Sequence, residues 1–333
     1  MINAYVLKPL PGVRCLPFLA PPPEGEKRLF QALPFAEYQG LITLVDKEQA
    51  DLFIIPHEYA VFRKHPGALE QYLEEAKQSK KRVLISAYQD DPSPLHIENA
   101  LILRASAYKS TLLPNEIFMP AYVEDLGKAR GVTLLPKSAK PAVGFVGKAG
   151  FKNLKETVKY YVRNYSVRRG VGREGVYFRR LAMRTLAKDS RVELRTIMRK
   201  AFSGHKESIE LSPEQARREY IENIEQALFT LSPRGDGNFS LRFYETLSLG
   251  RIPLLIDTDI PLPLEDRIDY SKFVVRVPWQ DVHRIGDYVL EFFALPEEEL
   301  LKRQQLAREA FEKHLYMPRY LSTVLDKEFL SNL

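Results

Sequence analysis

The chain has 333 residues, 45% hydrophobic and 28% charged, which is the composition of a soluble globular protein and a length for two domains. No segment reaches the ~18 uninterrupted apolar residues of a membrane span. The start, MINAYVLKPLPGVRCLPFLAPPPEGEK, puts no charged region before a long apolar run and does not read as a signal peptide. Cys15 is the only cysteine, which excludes an intrachain disulfide and a thiolate metal site and fits the reducing cytoplasm, while the net charge of +6 points to an anionic partner.

In chain order, ADLFIIP (50–56) is a short apolar run that predicts a buried strand. GALEQYLEEAKQSKK (67–81) has helical spacing, with Leu69, Tyr72, Leu73 and Ala76 on one face. RVLISA (82–87) predicts the next strand, and NALILRAS (99–106) and IFMPAY (117–122) are weaker strands. This is the βαβ rhythm of a parallel sheet. LLPKSAKP (134–141) suits a linker, and AVGFVG (142–147) opens a second series. That series continues with a helix over 173–189, a strand over 192–197 and a helix over 212–226, capped by Ser212 with Pro213 at its first position. ALFTLSP (227–233), IPLLID (252–257) and KFVVRV (272–277) complete the second sheet, and the tail is helical.

Between Lys148 and Lys200 stand sixteen Lys or Arg against four Asp or Glu, a local balance of +12. Such a run is either the solvated face of one or two helices or a groove for an anionic ligand.

LSPRGDGNFSLRFYETLSLGRIPLLID (231–257) concentrates charge between two buried strands. A right-handed βαβ unit brings the strand's end and the helix's start together. Gly235 and Gly237 permit positive φ and a close approach to the backbone. Ser240 or Asn238 can cap the helix, and the free N–H groups then form an anion site suited to phosphate. Arg234 and Arg242 add two guanidinium forks, and Glu245, three residues on, suits the hydroxyls of a ribose. Gly250 reads as the C′ residue of the helix. The pattern describes a nucleotide diphosphate; the plain alternative is a surface ion pair between Arg242 and Glu245, worth under ~1 kcal/mol.

Here the sequence resembles the exostosin-like glycosyltransferase family, through Phe229, Pro233-Arg234-Gly235-Asp236, Ser240, Arg242, Glu245, Gly250, Ile252-Pro253 and LPLEDRIDYSKFVVRVPWQDV (262–282). KEQADLFIIP (47–56), NEIFMPAY (115–122) and AVGFVGK (142–148) are weaker matches, so the resemblance is strong only over 220–282. Thr230 and Ser232 stand where members often have cysteines, and Tyr270 replaces a Trp. With no membrane anchor in view, these departures resemble a bacterial-type member.

The resemblance implies a GT-B architecture of α/β class: two Rossmann-like doubly wound domains facing a cleft, with a helical tail. The expected boundaries are 1–138 for an acceptor domain, 139–315 for the nucleotide-sugar domain and 316–333 for a helix packing back on the first. It implies sugar transfer from a nucleotide-diphosphate sugar, UDP-sugar favoured, to a hydroxyl of a glycan or lipid-linked glycan, with inversion and with neither bound metal nor cofactor. The basic stretch allows an anionic acceptor and peripheral membrane association. Donor contacts fall on Arg234, Gly235, Ser240, Arg242, Glu245, Gly147 and Lys148. Catalytic candidates at strand ends are Asp90, ranked first, then Asp91, His57 and Glu58. Their plain reading is turn chemistry, and for His57 a satisfied surface histidine. Arg195 and Arg199 are weaker anion candidates. Asp257 and Asp259 are not expected to hold a metal, and Glu265 and Asp266 serve sugar contact or capping. Two rival readings are a nucleic-acid-binding protein using 148–200, for which no module is recognisable, and an inactive glycan-binding relative.

Overall fold

The computed structural model describes residues 2–21, 35–199 and 211–331. Lys200, counted in the basic run, and residues 22–27 of the amino-terminal stretch lie outside them. The chain divides into two compact units, one of 1–124 with 260–264 and 313–333, the other of 125–259 with 265–312.

The first unit holds a six-stranded, all-parallel sheet. Its strands are β1 (Ile2–Val6), β2 (Ile42–Leu44), β3 (Leu52–Glu58), β4 (Val83–Ala87), β5 (Ala100–Arg104) and β6 (Glu116–Phe118), in the order β2-β1-β3-β4-β5-β6. β3, β4 and β5 are near-continuous apolar runs because a parallel sheet is covered on both faces. Helix α1 (Ala68–Gln78) buries Tyr72 and Ala76 against Phe53, Ile55, Ile85 and Ile102, with Leu69 and Leu73 beside them. β1 and β2 are additions to the sequence reading. β1 is five residues with a period-two burial pattern rather than an apolar run, yet it sits inside the sheet.

The second unit holds β7 (Ala142–Lys148), β8 (Glu193–Arg199), β9 (Phe229–Ser232), β10 (Ile252–Asp257) and β11 (Val275–Pro278), all parallel, in the order β11-β10-β9-β7-β8. Its helices are α2 (Leu126–Arg130), α3 (Leu154–Tyr161), α4 (Gly175–Leu186), α5 (Pro213–Glu225), α6 (Leu241–Ser248), α7 (Ile285–Phe293) and α8 (Glu297–Ala310). α5 starts as its sequence predicts: Ser212 and Gln215 form a reciprocal capping box, with Pro213 in the first turn. α6 ends in a Schellman motif. Gly250, at φ 63°, donates to the Leu247 carbonyl, and Arg251 donates to that of Thr246. α3 is absent from the sequence reading; it buries Tyr160 and leaves Leu154, Val158 and Tyr161 exposed.

The chain then returns to the first unit in α9 (Met317–Val324) and α10 (Lys327–Ser331). α9 buries Met317, Tyr320, Leu321 and Val324, and the Tyr320 hydroxyl donates to the Phe118 carbonyl at 3.0 Å.

Candidate nucleotide site

The order of the second sheet reverses at β7. The chain leaves β7 towards β8 on one side, and β9 and β10 lie on the other. The loops after β7 and β9 therefore diverge at a switch point, where open α/β sheets bind ligands. The residues singled out in the sequence for a diphosphate lie on these two strand ends and on α6.

Arg242, in the first turn of α6, reaches back over β7. Its guanidinium lies 4.3 Å from the Phe145 ring centroid, and Nη2 donates to the Val146 carbonyl at 2.5 Å. Its Nε is buried and has no hydrogen-bond partner among the described residues. Gly147 makes room for this reach, since a Cβ there would stand 2.9 Å from Arg242 Nη2. Arg234 is buried and holds the opposite wall. Its Nη1 donates to the Val171 carbonyl at 2.9 Å and its Nη2 to the Asp236 carbonyl at 3.1 Å.

Arg179 of α4 ties the two loops, donating to the carbonyls of Lys148 at 3.2 Å and Arg234 at 3.1 Å. Burial first, then the positive charge of Arg242, push its guanidinium down to about 10, with Asp236 pulling it back. Bonds to main-chain carbonyls orient these cations without cancelling their charge. Arg179 belongs to the basic run but was not singled out in the sequence, although Ala182, Met183 and Leu186 at i+3, i+4 and i+7 put it on the buried face of α4. Gly175 permits the approach of α4: a Cβ there would lie 2.3 Å from the carbonyl oxygens of both Arg234 and Gly235.

Lys148 pairs with Glu156 at 2.6 Å. Burial pushes the Glu156 carboxyl up, but Lys148 and the Lys152 N–H outweigh it and hold it low. Both line a cavity of about 240 Å3 with Lys159, Arg163, Glu174 and Asp236.

The loop geometry departs from expectation at four residues. Gly235 and Gly237 are not among the positive-φ positions. Instead Gly235 closes the turn by donating to the Phe239 carbonyl at 2.8 Å. Ser240 stands at the N-cap of α6 in extended conformation, yet its side chain makes no capping bond. Asn238 does not cap either. Fully buried, it accepts from the Thr258 hydroxyl at 2.6 Å and donates to the Thr258 and Asp259 carbonyls, clamping the loop to the end of β10. Within the first turn of α6, the Phe243 N–H donates to the Ser240 carbonyl at 3.2 Å.

Glu245 is 5% exposed and does not pair with Arg242. Its carboxylate accepts from Arg217 at 2.7 Å and from the Tyr220 hydroxyl at 2.5 Å, both from α5. The Glu245 charge and burial together hold Tyr220 far above the ordinary phenol range, burial being the larger cause.

The rest of the basic run is dispersed. Arg195 pairs with Glu193, and Arg199 is buried against α5 through Ala216 and Glu219. Arg180 donates to the Ala149 carbonyl. It is not one continuous exposed stripe. Asp257 and Glu265 both pair with Arg276, at 2.7 and 3.0 Å, and Asp266 with Arg267 at 3.5 Å.

The four acid–base candidates lie in the first unit. His57 is a buried residue, not a surface one. Its Nδ1 donates to the Arg14 carbonyl and its Nε2 accepts from the Leu10 N–H, each at 2.8 Å, so both ring nitrogens hold the loop after β1. Burial, the largest cause, pushes its pKa down. Asp91 is exposed and accepts from the Ser93 N–H at 3.0 Å. That bond leads the causes holding it below the usual carboxylate range, and Arg63 at 3.6 Å adds to them. Such a carboxylate is a weak base. Glu58, at the end of β3, accepts from the Tyr88 N–H at 3.1 Å. Asp90 is exposed, and its carbonyl accepts from the Ser106 hydroxyl. The buried pair of Arg104 and Glu116, unnoticed in the sequence, pins this loop. Arg104 donates to the Asp91, Ser93 and Ser106 carbonyls, and Glu116 accepts from Leu95 and Leu113.

Residues 175–291 match the family model described as Exostosin GT47 domain. A probable glucuronosyltransferase 47 A of Physcomitrium patens is 37% identical over 101 residues, 30% of this chain and 22% of that protein. A probable beta-1,4-xylosyltransferase, IRX10 of Arabidopsis thaliana, is 33% identical over 101 residues, 30% of this chain and 24% of that one. The matched stretch thus spans about a quarter of these relatives. Among solved structures, TarM aligns over 84% of this chain and 54% of its own, at 10% identity and a TM-score of 0.40. The catalytic domain of Starch Synthase IV from Arabidopsis thaliana aligns over 85% and 73%, at 9% and 0.35. The match from 175 to 291 takes in Arg179, Arg234, Arg242 and the whole of α6, so the residues gathered at the switch point lie within the stretch that is similar to the Exostosin GT47 domain.

Proposed function

We propose that the protein is a GT-B glycosyltransferase that moves a sugar from a nucleotide-diphosphate sugar, UDP-sugar favoured, to a hydroxyl of a glycan acceptor, with inversion and without a metal. The observation that carries this is the gathering of Arg179, Arg234 and Arg242 at the switch point, close enough that Arg242 depresses Arg179. Cations fixed in this way stabilise a leaving diphosphate without reorganising as its charge develops. The N-terminus of α6, which no side chain caps, adds to them. A ribose would reach Glu245 by displacing Arg217, whose side chain is 33% exposed. Inversion needs a base for the acceptor proton. Asp90 is the residue proposed for it, since both nitrogens of His57 are engaged and Asp91 is acidified.

The test is a thermal-shift screen with UDP, UDP-sugars and GDP-sugars. A nucleotide that raises the melting temperature is expected. Arg242→Ala should weaken its binding by about 10–100-fold, the loss of one charge-assisted bond of ~1.5–3 kcal/mol. Asp90→Asn should leave binding intact and abolish transfer. No shift with any nucleotide would overturn the reading.

A further inference from the structure

Helix α3 and its π-helical continuation, Val162–Val167, hold an apolar stripe out in solvent. Leu154, Val158, Tyr161 and Tyr165 recur at i, i+4, i+7 and i+11, one helical face. They are 77%, 54%, 44% and 53% exposed; Val162, 50% exposed, flanks them, and Val167, 70% exposed, ends the π-helical turn on another side. The inward face is firmly seated. Tyr160 is buried, and the buried Asn164 donates to the Tyr160 carbonyl and to Glu174, then accepts from the Glu174 N–H. The exposure therefore belongs to an anchored element. Single exposed apolar residues are ordinary, but a contiguous stripe marks an interaction surface.

Charge chooses the partner. From 152 to 169 the sequence has six basic residues, Lys152, Lys155, Lys159, Arg163, Arg168 and Arg169, and one acid, Glu156, so the segment carries +5. Lys152, Lys155, Lys159, Arg168 and Arg169 are exposed. A second copy meeting this face through the same surface would bring like charges together. Nucleic acid would use the cations and leave Leu154, Val158, Val162 and Val167 without a role. The surface of a bilayer uses both, the apolar side chains entering the boundary of headgroups and acyl chains while the lysines and arginines meet lipid phosphates. Tyr161 and Tyr165, stacked with centroids 5.6 Å apart, are of the residue type that favours that depth.

We propose that 154–167 is an interfacial docking face for a membrane leaflet rich in anionic phospholipid. The apolar stripe lies outside the lining of the nucleotide site, while Lys159 and Arg163 also line the cavity beside Lys148. Among the described residues no helix is long and apolar enough to cross a membrane, so the contact is one of lying on the surface.

Co-sedimentation of the full chain with vesicles tests it. Binding is expected to equimolar phosphatidylcholine and phosphatidylglycerol at about 0.1 M salt. It should fall tenfold or more on phosphatidylcholine alone, and also at about 1 M salt, where the Debye length shrinks from about 10 to about 3 Å. Leu154→Asp with Val158→Asp, and separately Lys155→Glu with Lys159→Glu, should each lower it at least tenfold. All four side chains are exposed, so melting temperatures should hold. No binding to anionic vesicles, equal binding to both vesicle types, or unchanged binding by the Leu154/Val158 variant overturns the proposal. So does a dimer in light scattering that this variant abolishes, or an oligonucleotide that competes fully with the vesicles.

Discussion

His57 shows how a residue suited to proton transfer can be used up by architecture. One nitrogen donates to Arg14 and the other accepts from Leu10, which fixes the neutral ring. Its pKa is pushed down on folding, so the unfolded chain takes up the proton first as pH falls. The stability this neutral ring contributes is therefore present above the unfolded pKa of about 6.5 and is lost as pH drops through that value towards the folded one. Melting temperature should fall between about pH 7 and pH 5, and His57→Gln should flatten that slope. A slope unchanged in the variant would exclude His57 as its source. Gly147 makes an opposite point, that an absent side chain can be a binding determinant. Gly147→Ala places a methyl 2.9 Å from Arg242 Nη2, and Gly147 is not among the positive-φ positions. On the proposed nucleotide reading, affinity should drop tenfold or more by calorimetry, with the melting temperature little changed.

At the scale of elements, what could be read in the sequence follows from which face carries the signal. α5 announces itself with Ser212, Pro213 and Gln215, and the structure uses all three. α6 and its flanking strands are equally plain, because the Gly-rich turn and Gly250 bracket an apolar helix. Gly250→Ala should cost roughly 1–2 kcal/mol from the left-handed backbone alone. Its Cβ would also stand 3.1 Å from Val132 and 3.2 Å from the Gln304 carbonyl, so a chemical-denaturation midpoint should move by at least that much. β1 and α3 escaped the sequence reading for physical reasons. β1 mixes apolar and polar residues over only five positions, and α3 buries Tyr160 alone while Leu154, Val158 and Tyr161 face solvent. The site was half legible. Arg234, Arg242, Gly147 and Lys148 were named from local pattern and do converge, whereas Arg179, the buried partner of Arg104 and the engagement of Glu245 by Arg217 and Tyr220 depend on contacts between elements distant in sequence.

For the whole molecule, the consequential fact is that the first unit is assembled from both ends of the chain. Tyr320 is fully buried there, and its hydroxyl reaches the carbonyl of Phe118 on β6. Tyr320→Ala should cost about 3–5 kcal/mol, as for other buried aromatic rings. Hydrogen exchange should then speed up in β5 and β6 while β7, β9 and β10 keep their protection. Equal loss of protection in both sheets would instead mean that the two units unfold as one.

This arrangement also sets an order of events during biosynthesis. The ribosome delivers the strands of the first sheet early, but α9 follows only after the intervening unit has been made. Between residues 124 and 313, translation at about 5–20 residues per second takes about 10–40 s. Through that interval the nascent first sheet waits with the surface that Met317, Tyr320 and Leu321 will cover still open. The second unit, contiguous but for five residues, can close first. Completion of the two units therefore runs against the direction of synthesis, and the early sheet is the part of the chain that chaperones would have most reason to shield.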